Sequence, residues 1–278
     1  MLVAGLATAG VLSVVTASGG VALASSSDVA VDTRSGPVVG TSTATNRVFK
    51  GIPFAAPPTP ERGLRWKPPQ APAAWTAPRQ AKQVGPKCAQ PTFVSAGSLS
   101  EDCLYLNVFA PASGSNLPVM VWIHGGGWFL GSGGQFDGSE LAARNNVVVV
   151  TINYRLGPFG YLALPGLALE NSHLSAGNYG LQDQQMALRW VRDNIVGFGG
   201  NKNNVTLFGE SAGSGSICAH LASPQSAGLF QKAITESQSC TSPGNTMSSL
   251  VADPVHHVRG GRGLRRHAAR RGRGLHAR

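Results

Sequence analysis

Asn204-Val205-Thr206-Leu207-Phe208-Gly209-Glu210-Ser211-Ala212-Gly213 is the stretch whose reading decides the fold. Residues 205–208 are a run of β-branched and apolar side chains, the pattern of a buried strand. The run passes directly into Gly209-Glu210-Ser211-Ala212-Gly213, a G-x-S-x-G pentapeptide, and then into a helix-compatible segment over 214–221. Strand, pentapeptide and helix in that order are the setting of a nucleophile elbow. The turn is so tight that only glycine tolerates the crowding two residues either side of the serine. Its strain would lift the Ser211 hydroxyl above the sheet, where a substrate carbonyl can reach it. The pentapeptide alone is weak evidence, because chance supplies it in Gly- and Ser-rich chains.

A second motif lies upstream. Residues 118–123, Pro-Val-Met-Val-Trp-Ile, form a near-continuous apolar run, as expected of a strand covered on both faces. The run ends in His124-Gly125-Gly126-Gly127-Trp128. Backbone free of side chains can turn several N–H groups toward one point, which is what a developing oxyanion needs. The bland alternative is a flexible glycine loop, such as Gly131-Ser132-Gly133-Gly134 just beyond. Position decides between them: H-G-G-G directly after a buried strand and ahead of G-x-S-x-G is the hydrolase arrangement.

The rest of the chain supplies the frame. Residues 29–32, 35–40 and 48–52 alternate around turn residues and read as antiparallel edge strands. Residues 53–78, with Pro57-Pro58, Pro68-Pro69, Trp66 and Trp75, read as a long ordered loop pinned by aromatics. Residues 147–152 read as another buried strand. Leu181, Leu188, Val191 and Ile195 fall at helical spacing, with Gly197, Gly199 and Gly200 to stop that helix. Strands alternating with helices imply an α/β fold: a mostly parallel central sheet with right-handed crossovers and an antiparallel N-terminal portion.

Composition adds bounds. The chain of 278 residues could hold one large domain, with 42% hydrophobic residues to fill a core. The net charge of +10 is local, since the segment after Leu250 carries eight arginines against one acid, Asp253. The charge therefore says little about what the domain binds. Residues 2–24 are apolar and rich in small residues, and Ala22-Leu23-Ala24 fits an A-x-A cleavage site. Residues 1–24 thus read as a secretory signal, although a positive n-region is missing. A retained anchor is the alternative, opposed by Gly5, Gly10, Gly19 and Gly20, which disfavour a stable spanning helix. The expected location is extracellular, with no membrane association after cleavage. Export permits disulfides. Cys88 and Cys103 bracket a loop whose closure is worth ~3 kcal/mol in the chain-entropy model. Cys218 and Cys240 could pair with each other, or Cys240 could have lost a downstream partner. Asn204-Val205-Thr206 is a formal glycosylation sequon that enters a buried strand, so modification is not expected.

Together these stretches resemble the type-B carboxylesterase and cholinesterase family of α/β-hydrolases. The matching segments are Gly51-Ile52-Pro53-Phe54-Ala55 and residues 101–108, 124–128, 153–161, 177–200 and 205–213, in the family's order. The resemblance covers roughly 29–238. It implies an α/β-hydrolase domain over 25–250 that hydrolyses carboxylic esters. It implies that Ser211 is the nucleophile and that Gly126, Gly127 and Ala212 donate the oxyanion-hole N–H groups. It also implies a Cys88–Cys103 disulfide, a small-molecule ester as substrate, no cofactor and no metal. His124, His173 and His220 do not make a ligand set. Ser214 stands where the family usually has glycine, and Glu210 is the family's usual neighbour of the serine rather than the triad acid.

The departure lies beyond the elbow. In this fold the triad runs Ser, then Asp or Glu, then His. Both partners should follow further strands, and neither is found. Glu236, Asp253, His256 and His257 do not match the pattern in position. After about Leu250 the sequence becomes Arg259-Gly260-Gly261-Arg262-Gly263-Leu264-Arg265-Arg266-His267, without apolar period. Residues 251–278 therefore read as a disordered Arg/Gly-rich tail, with the composition that GC-rich DNA yields when read out of frame. A nucleic-acid-binding arm is the disfavoured alternative, and no nucleic-acid partner is expected. The overall expectation is a C-terminally truncated, secreted serine carboxylesterase of crippled activity, or else a non-catalytic binding domain of the same ancestry.

Overall fold

The computed structural model describes residues 26–92, 97–170 and 174–241. The expected signal segment 1–24, the tail 251–278, and with it Asp253, His256 and His257, lie outside the described residues, as does His173.

Three N-terminal strands, β1 (Ser27–Thr33), β2 (Gly36–Ser42) and β3 (Asn46–Pro53), pair antiparallel in sequence order. Two-residue pieces follow: β4 (Arg79–Gln80), which adds to β2, and the β5 (Lys87–Cys88) and β6 (Leu99–Ser100) pair. Strand β7 (Tyr105–Pro111) joins β3 antiparallel. The chain then builds β8 (Leu117–Ile123), helix α1 (Ser139–Asn145) and β9 (Val148–Ile152). Short helices α2 (Gly157–Tyr161) and α3 (Pro165–Ala168) lead to the long helix α4 (Tyr179–Asn194). Strand β10 (Gly200–Glu210), helix α5 (Ala212–Ala222) and strand β11 (Lys232–Glu236) complete the described chain. The sheet order is β1-β2-β3-β7-β9-β8-β10-β11. Its last four strands are parallel, joined through α1, α4 and α5, as the strand–helix alternation implied.

The two faces of the sheet are covered unequally. Ala187, Leu188 and Val191 of α4 and Ile217 of α5 pack onto Val119, Val121, Ile123, Val205 and Leu207, all fully buried. The opposite face is covered by α1 through Ala142, against Phe109 and Val149. Toward β8, β10 and β11 that cover runs out among the described residues. Met120, Trp122 and Phe208 are half-buried, and Ile234 of β11 is 44% exposed. The apolar run 118–123 therefore forms a strand buried on one face only, which corrects the expectation of two. Strand β9, in contrast, is buried at every position.

Two further expectations are adjusted. The helix over 181–195 begins earlier and buries Asp183, Gln184 and Gln185, whereas Leu181 is only half-buried. It ends at Asn194 and runs on as a 3-10 turn, Ile195–Phe198, stopped by Gly199 at φ 88°. Gly197 lies inside that turn. The loop over 53–78 contains only a 3-10 turn (Pro60–Arg62) and is tied down by its tryptophans. Trp75 Nε1 donates to the Pro37 carbonyl at 2.8 Å, and Trp66 Nε1 to that of Pro158 at 2.9 Å. Cys88 is bonded to Cys103, and Cys218 to Cys240, which decides between the two readings left open for the second pair.

Asp183 anchors the segment after β9. Its carboxylate receives Arg155 Nε at 2.8 Å, Nη2 at 2.7 Å and the Arg155 backbone N–H at 3.0 Å, with both side chains buried. Removing one partner of such a pair strands a buried charge, which costs about 3–5 kcal/mol. Asp183→Asn should lower the unfolding free energy by that amount in urea titration. A loss below 1 kcal/mol would mean that water reaches Arg155.

Candidate active site

Parallel pairing of β8 and β10 sets Ile123 opposite Gly209, so the two motifs leave the sheet side by side. Ser211 then takes φ 54°, ψ −121°, a conformation that a non-glycine residue adopts only when its surroundings hold it there. The hold is visible. Ser211 N–H donates to the Glu236 carbonyl at 2.9 Å, and Gly215 N–H returns to the Ser211 carbonyl at 3.0 Å. A Cβ on Gly209 would stand 2.7 Å from the Ile123 carbonyl oxygen and 3.0 Å from Gly213 C; one on Gly213 would be 2.0 Å from that same oxygen. The pentapeptide needs both glycines because α5 starts against the end of β8. Helix α5 begins at Ala212, two residues before the expected start, so Ala212 N–H sits in the first turn with no acceptor inside the helix.

The glycine loop lies against this turn. A Cβ on Gly125 would be 3.3 Å from Ser211 Cβ and 2.8 Å from the Glu210 carbonyl. Gly126 and Gly127 have φ 105° and 61°, in the left-handed range that suits glycine. The Gly126 carbonyl accepts the N–H groups of Phe129 and Leu130, both at 3.1 Å, which closes the loop. Its far end is clamped by Gln90, whose side chain takes the Gly131 N–H at 3.0 Å and donates to the Gly131 carbonyl at 2.9 Å. Asn153 accepts the Gly133 N–H at 2.9 Å and donates to the Cys103 carbonyl at 2.9 Å. The loop closed by the Cys88–Cys103 bond thus braces the glycine loop from behind. Sequence reading missed Gln90 and Asn153, since nothing about a lone amide marks its partner.

Behind α5 runs a buried polar chain. Trp128 Nε1 donates to Ser216 Oγ at 3.0 Å, and Gln184 Nε2 donates to the same oxygen at 3.2 Å. Gln184 Oε1 meets His220 Nε2 at 2.9 Å, and His220 Nδ1 meets Ser226 Oγ at 2.9 Å. Gln185 bonds Ser223 and Ser226, both at 3.1 Å. These contacts explain the polar residues that α4 buries. Ser214 is also engaged. Its Oγ accepts the Glu236 N–H at 2.6 Å and lies within bonding distance of the Gly209 and Glu236 carbonyls, tying β11 to the elbow. Asn204 lies in β10 and accepts Lys232 Nζ at 2.6 Å.

Two histidines fall among the described residues, and neither serves Ser211. His124 is buried, stacks on Tyr154 with centroids 4.4 Å apart, and points Nδ1 at the Gly125 carbonyl. Its Nε2 has no hydrogen-bond partner. His220 has both nitrogens committed to Gln184 and Ser226. Burial pushes both imidazoles down to about 4. No hydrogen bond among the described residues reaches the Ser211 hydroxyl, and Glu236 enters the elbow through its backbone rather than its carboxylate. No group of three or more potential metal ligands occurs among the described residues.

A strand–elbow–helix turn beside a glycine loop, on a largely parallel sheet, defines the α/β-hydrolase class. Within that class the chain belongs to the carboxylesterase family, whose sequence pattern matches residues 27–259. It is 50% identical over 216 residues to the para-nitrobenzyl esterase of Bacillus subtilis (strain 168), covering 74% of this chain and 43% of that enzyme. It is 44% identical over 229 residues to the fumonisin B1 esterase of Sphingopyxis macrogoltabida, covering 80% of this chain and 42% of that enzyme. Among solved structures, a carboxylesterase of Geobacillus stearothermophilus superimposes with TM-score 0.70 at 44% identity, over 76% of this chain and 44% of that one. The chain thus spans less than half the length of the relatives it matches.

Two predictions follow from this geometry. Gly213→Ala should abolish the folded elbow, because its methyl has no room beside the Ile123 carbonyl; loss of cooperative thermal unfolding would report it. The two buried histidines should make the fold acid-sensitive. Each has a folded value near 4 against about 6.5 unfolded, so the unfolded chain takes up protons first as pH drops. Stability should be level above about pH 6.5 and fall steadily toward pH 4, by ~3 kcal/mol per histidine. Urea titrations across that range should show it, with a shallower slope in His220→Asn.

Proposed function

We propose that this chain is an exported serine carboxylesterase domain in which Ser211 attacks the carbonyl of a small-molecule ester. The observation that carries the reading is the left-handed Ser211 held between Gly209 and Gly213, with the Gly125 backbone against its Cβ. The tetrahedral oxyanion is received by the N–H groups of Gly126, Gly127 and Ala212. The alcohol leaves, and water then releases the acyl group from Ser211. Each donor contributes on the order of 100- to 1,000-fold in turnover. Two disulfides support an oxidising compartment, in keeping with residues 1–24 as a leader. Among the described residues no helix is long and apolar enough to cross a membrane.

The proposed chemistry lacks a general base among the described residues, since His124 and His220 are occupied in the core. Turnover that draws on the described residues alone is slow, with a deficit of ~10⁶ in kcat relative to a complete triad. A fluorophosphonate probe, followed by peptide mass mapping, tests the reading. Slow labelling confined to Ser211, and absent in Ser211→Ala, is the expected result. Labelling elsewhere, or none at millimolar probe with the fold intact by circular dichroism, would sink it.

A further inference from the structure

We propose that Gln90 is a positioning residue for the oxyanion hole, a role that rests on the esterase reading above. By holding Gly131 it aims the N–H groups of Gly126 and Gly127 at the oxyanion that forms when Ser211 attacks. Gln90 acts at a distance, through the far end of the glycine loop.

Peptide geometry orients the two donors. Among the described residues no peptide bond is cis, and in a planar trans peptide the N–H points opposite to the C=O. The Gly125 carbonyl is held by His124 Nδ1 at 2.8 Å, and that nitrogen carries the hydrogen because a carbonyl only accepts. The Gly126 N–H, in the same peptide, is thereby turned away from His124. The Gly126 carbonyl is held by the N–H groups of Phe129 and Leu130, so the Gly127 N–H is turned out of that turn. Each donor is aimed by the bond that the carbonyl of its own peptide makes.

Gly131 closes the loop onto its start. A Cβ there would stand 2.5 Å from His124 Nδ1 and 2.9 Å from the Gly125 carbonyl oxygen, and one on Gly126 would stand 2.3 Å from the Leu130 carbonyl oxygen. The backbone of 130–131 thus backs the two peptides that carry the donors. Gly131 is buried, and both of its backbone polar groups go to Gln90. Gln90 Nε2 also donates to the Cys88 carbonyl at 2.9 Å, which fixes the amide from the disulfide side. One side chain must therefore accept from an N–H and donate to two carbonyls, which an amide does and an ionised carboxylate does not. Without it two buried backbone groups lose their partner, and the loop end must shift to find another.

The test is the saturation kinetics of fluorophosphonate labelling at Ser211 in the full chain, for the parent, Gln90→Ala and Gln90→Glu, with the fold of each checked by circular dichroism. As Ser211 displaces fluoride from phosphorus, the phosphonyl oxygen gains negative charge, so the limiting rate reports the donors and half-saturation reports probe binding. Gln90→Ala should lower the limiting rate roughly 10- to 100-fold, with half-saturation within about twofold of the parent. Gln90→Glu should be equally slow at about pH 8, where its carboxylate faces two carbonyls. It should recover toward the parent at about pH 5.5, where the protonated acid again offers a donor and an acceptor. A folded Gln90→Ala chain that labels at the parent's limiting rate would overturn the proposal. A ratio of Gln90→Glu to parent rates that stays flat across that pH range would overturn it too, since a Gln90 that only fills space gives that result. A parent chain that never labels at Ser211 would overturn the esterase reading itself, and this role with it.

Discussion

The carbonyl oxygen of Ile123 is the point on which the site depends. It is the last carbonyl of β8, and both glycines of the pentapeptide pack onto it. Strand spacing in a sheet is set by hydrogen bonding at about 4.8 Å. A side chain at either glycine would force α5 away from β8, and the Ser211 turn with it. The glycine loop leaves the sheet from the next residue, His124. One register, Gly209 opposite Ile123, therefore sets the separation between the serine and the loop amides. A slip by one residue would turn every side chain of β10 to the other face and bury Thr206 and Phe208 where Val205 and Leu207 now sit.

The shell behind that junction is polar, and its partners are complete where it matters. Trp128, Ser216, Gln184, His220 and Ser226 form one chain of hydrogen bonds from the glycine loop through α5 to α4. Such a network contributes more to a unique arrangement than to net stability, since each member must first be desolvated. It also explains why His220 stays neutral. His220 is a strut between two neighbours, and a charge there would have no counter-ion among its partners. Asp183 differs, since burial pushes its carboxyl up from the usual carboxylate range while three hydrogen bonds from Arg155 hold it down.

The elbow and the glycine loop were legible because backbone crowding dictates residue type there, and the mostly parallel sheet because strands alternate with helices. Glycine at 209 and 213 is demanded by geometry, and that demand is written in the sequence. The polar side of α4 was not legible. Asp183 and Gln184 look like solvent-facing residues until Arg155 and Ser216, distant in sequence, arrive to satisfy them. Ser214 looked incidental for the same reason, since its partner Glu236 lies on another strand. The run at 118–123 misled in the opposite direction. Six apolar residues imply two covered faces, yet what covers the face of Met120 and Trp122 is not among the described residues. Cys218 and Cys240 could be paired only once α5 and the end of β11 were side by side.

The strain at Ser211 shows how the proposed chemistry divides between local and remote parts. Holding a serine at φ 54° costs of order 1–3 kcal/mol, and β8, β10, α5 and the Glu236 carbonyl supply the contacts that impose it. All of these contacts fall within the described part of the chain. Positioning and oxyanion stabilisation are thus local properties of one β–α–β unit. Proton transfer is not. A general base must reach the serine oxygen from outside this unit, because each described imidazole is held in place by core contacts that would have to break first. Oxyanion donors and binding alone leave a residual 10³- to 10⁴-fold over water in serine hydrolases stripped of their triads. In the proposed chemistry that remainder is what positioning and oxyanion donors can supply, and both depend on Ile123, Gly209 and Gly213 staying in contact.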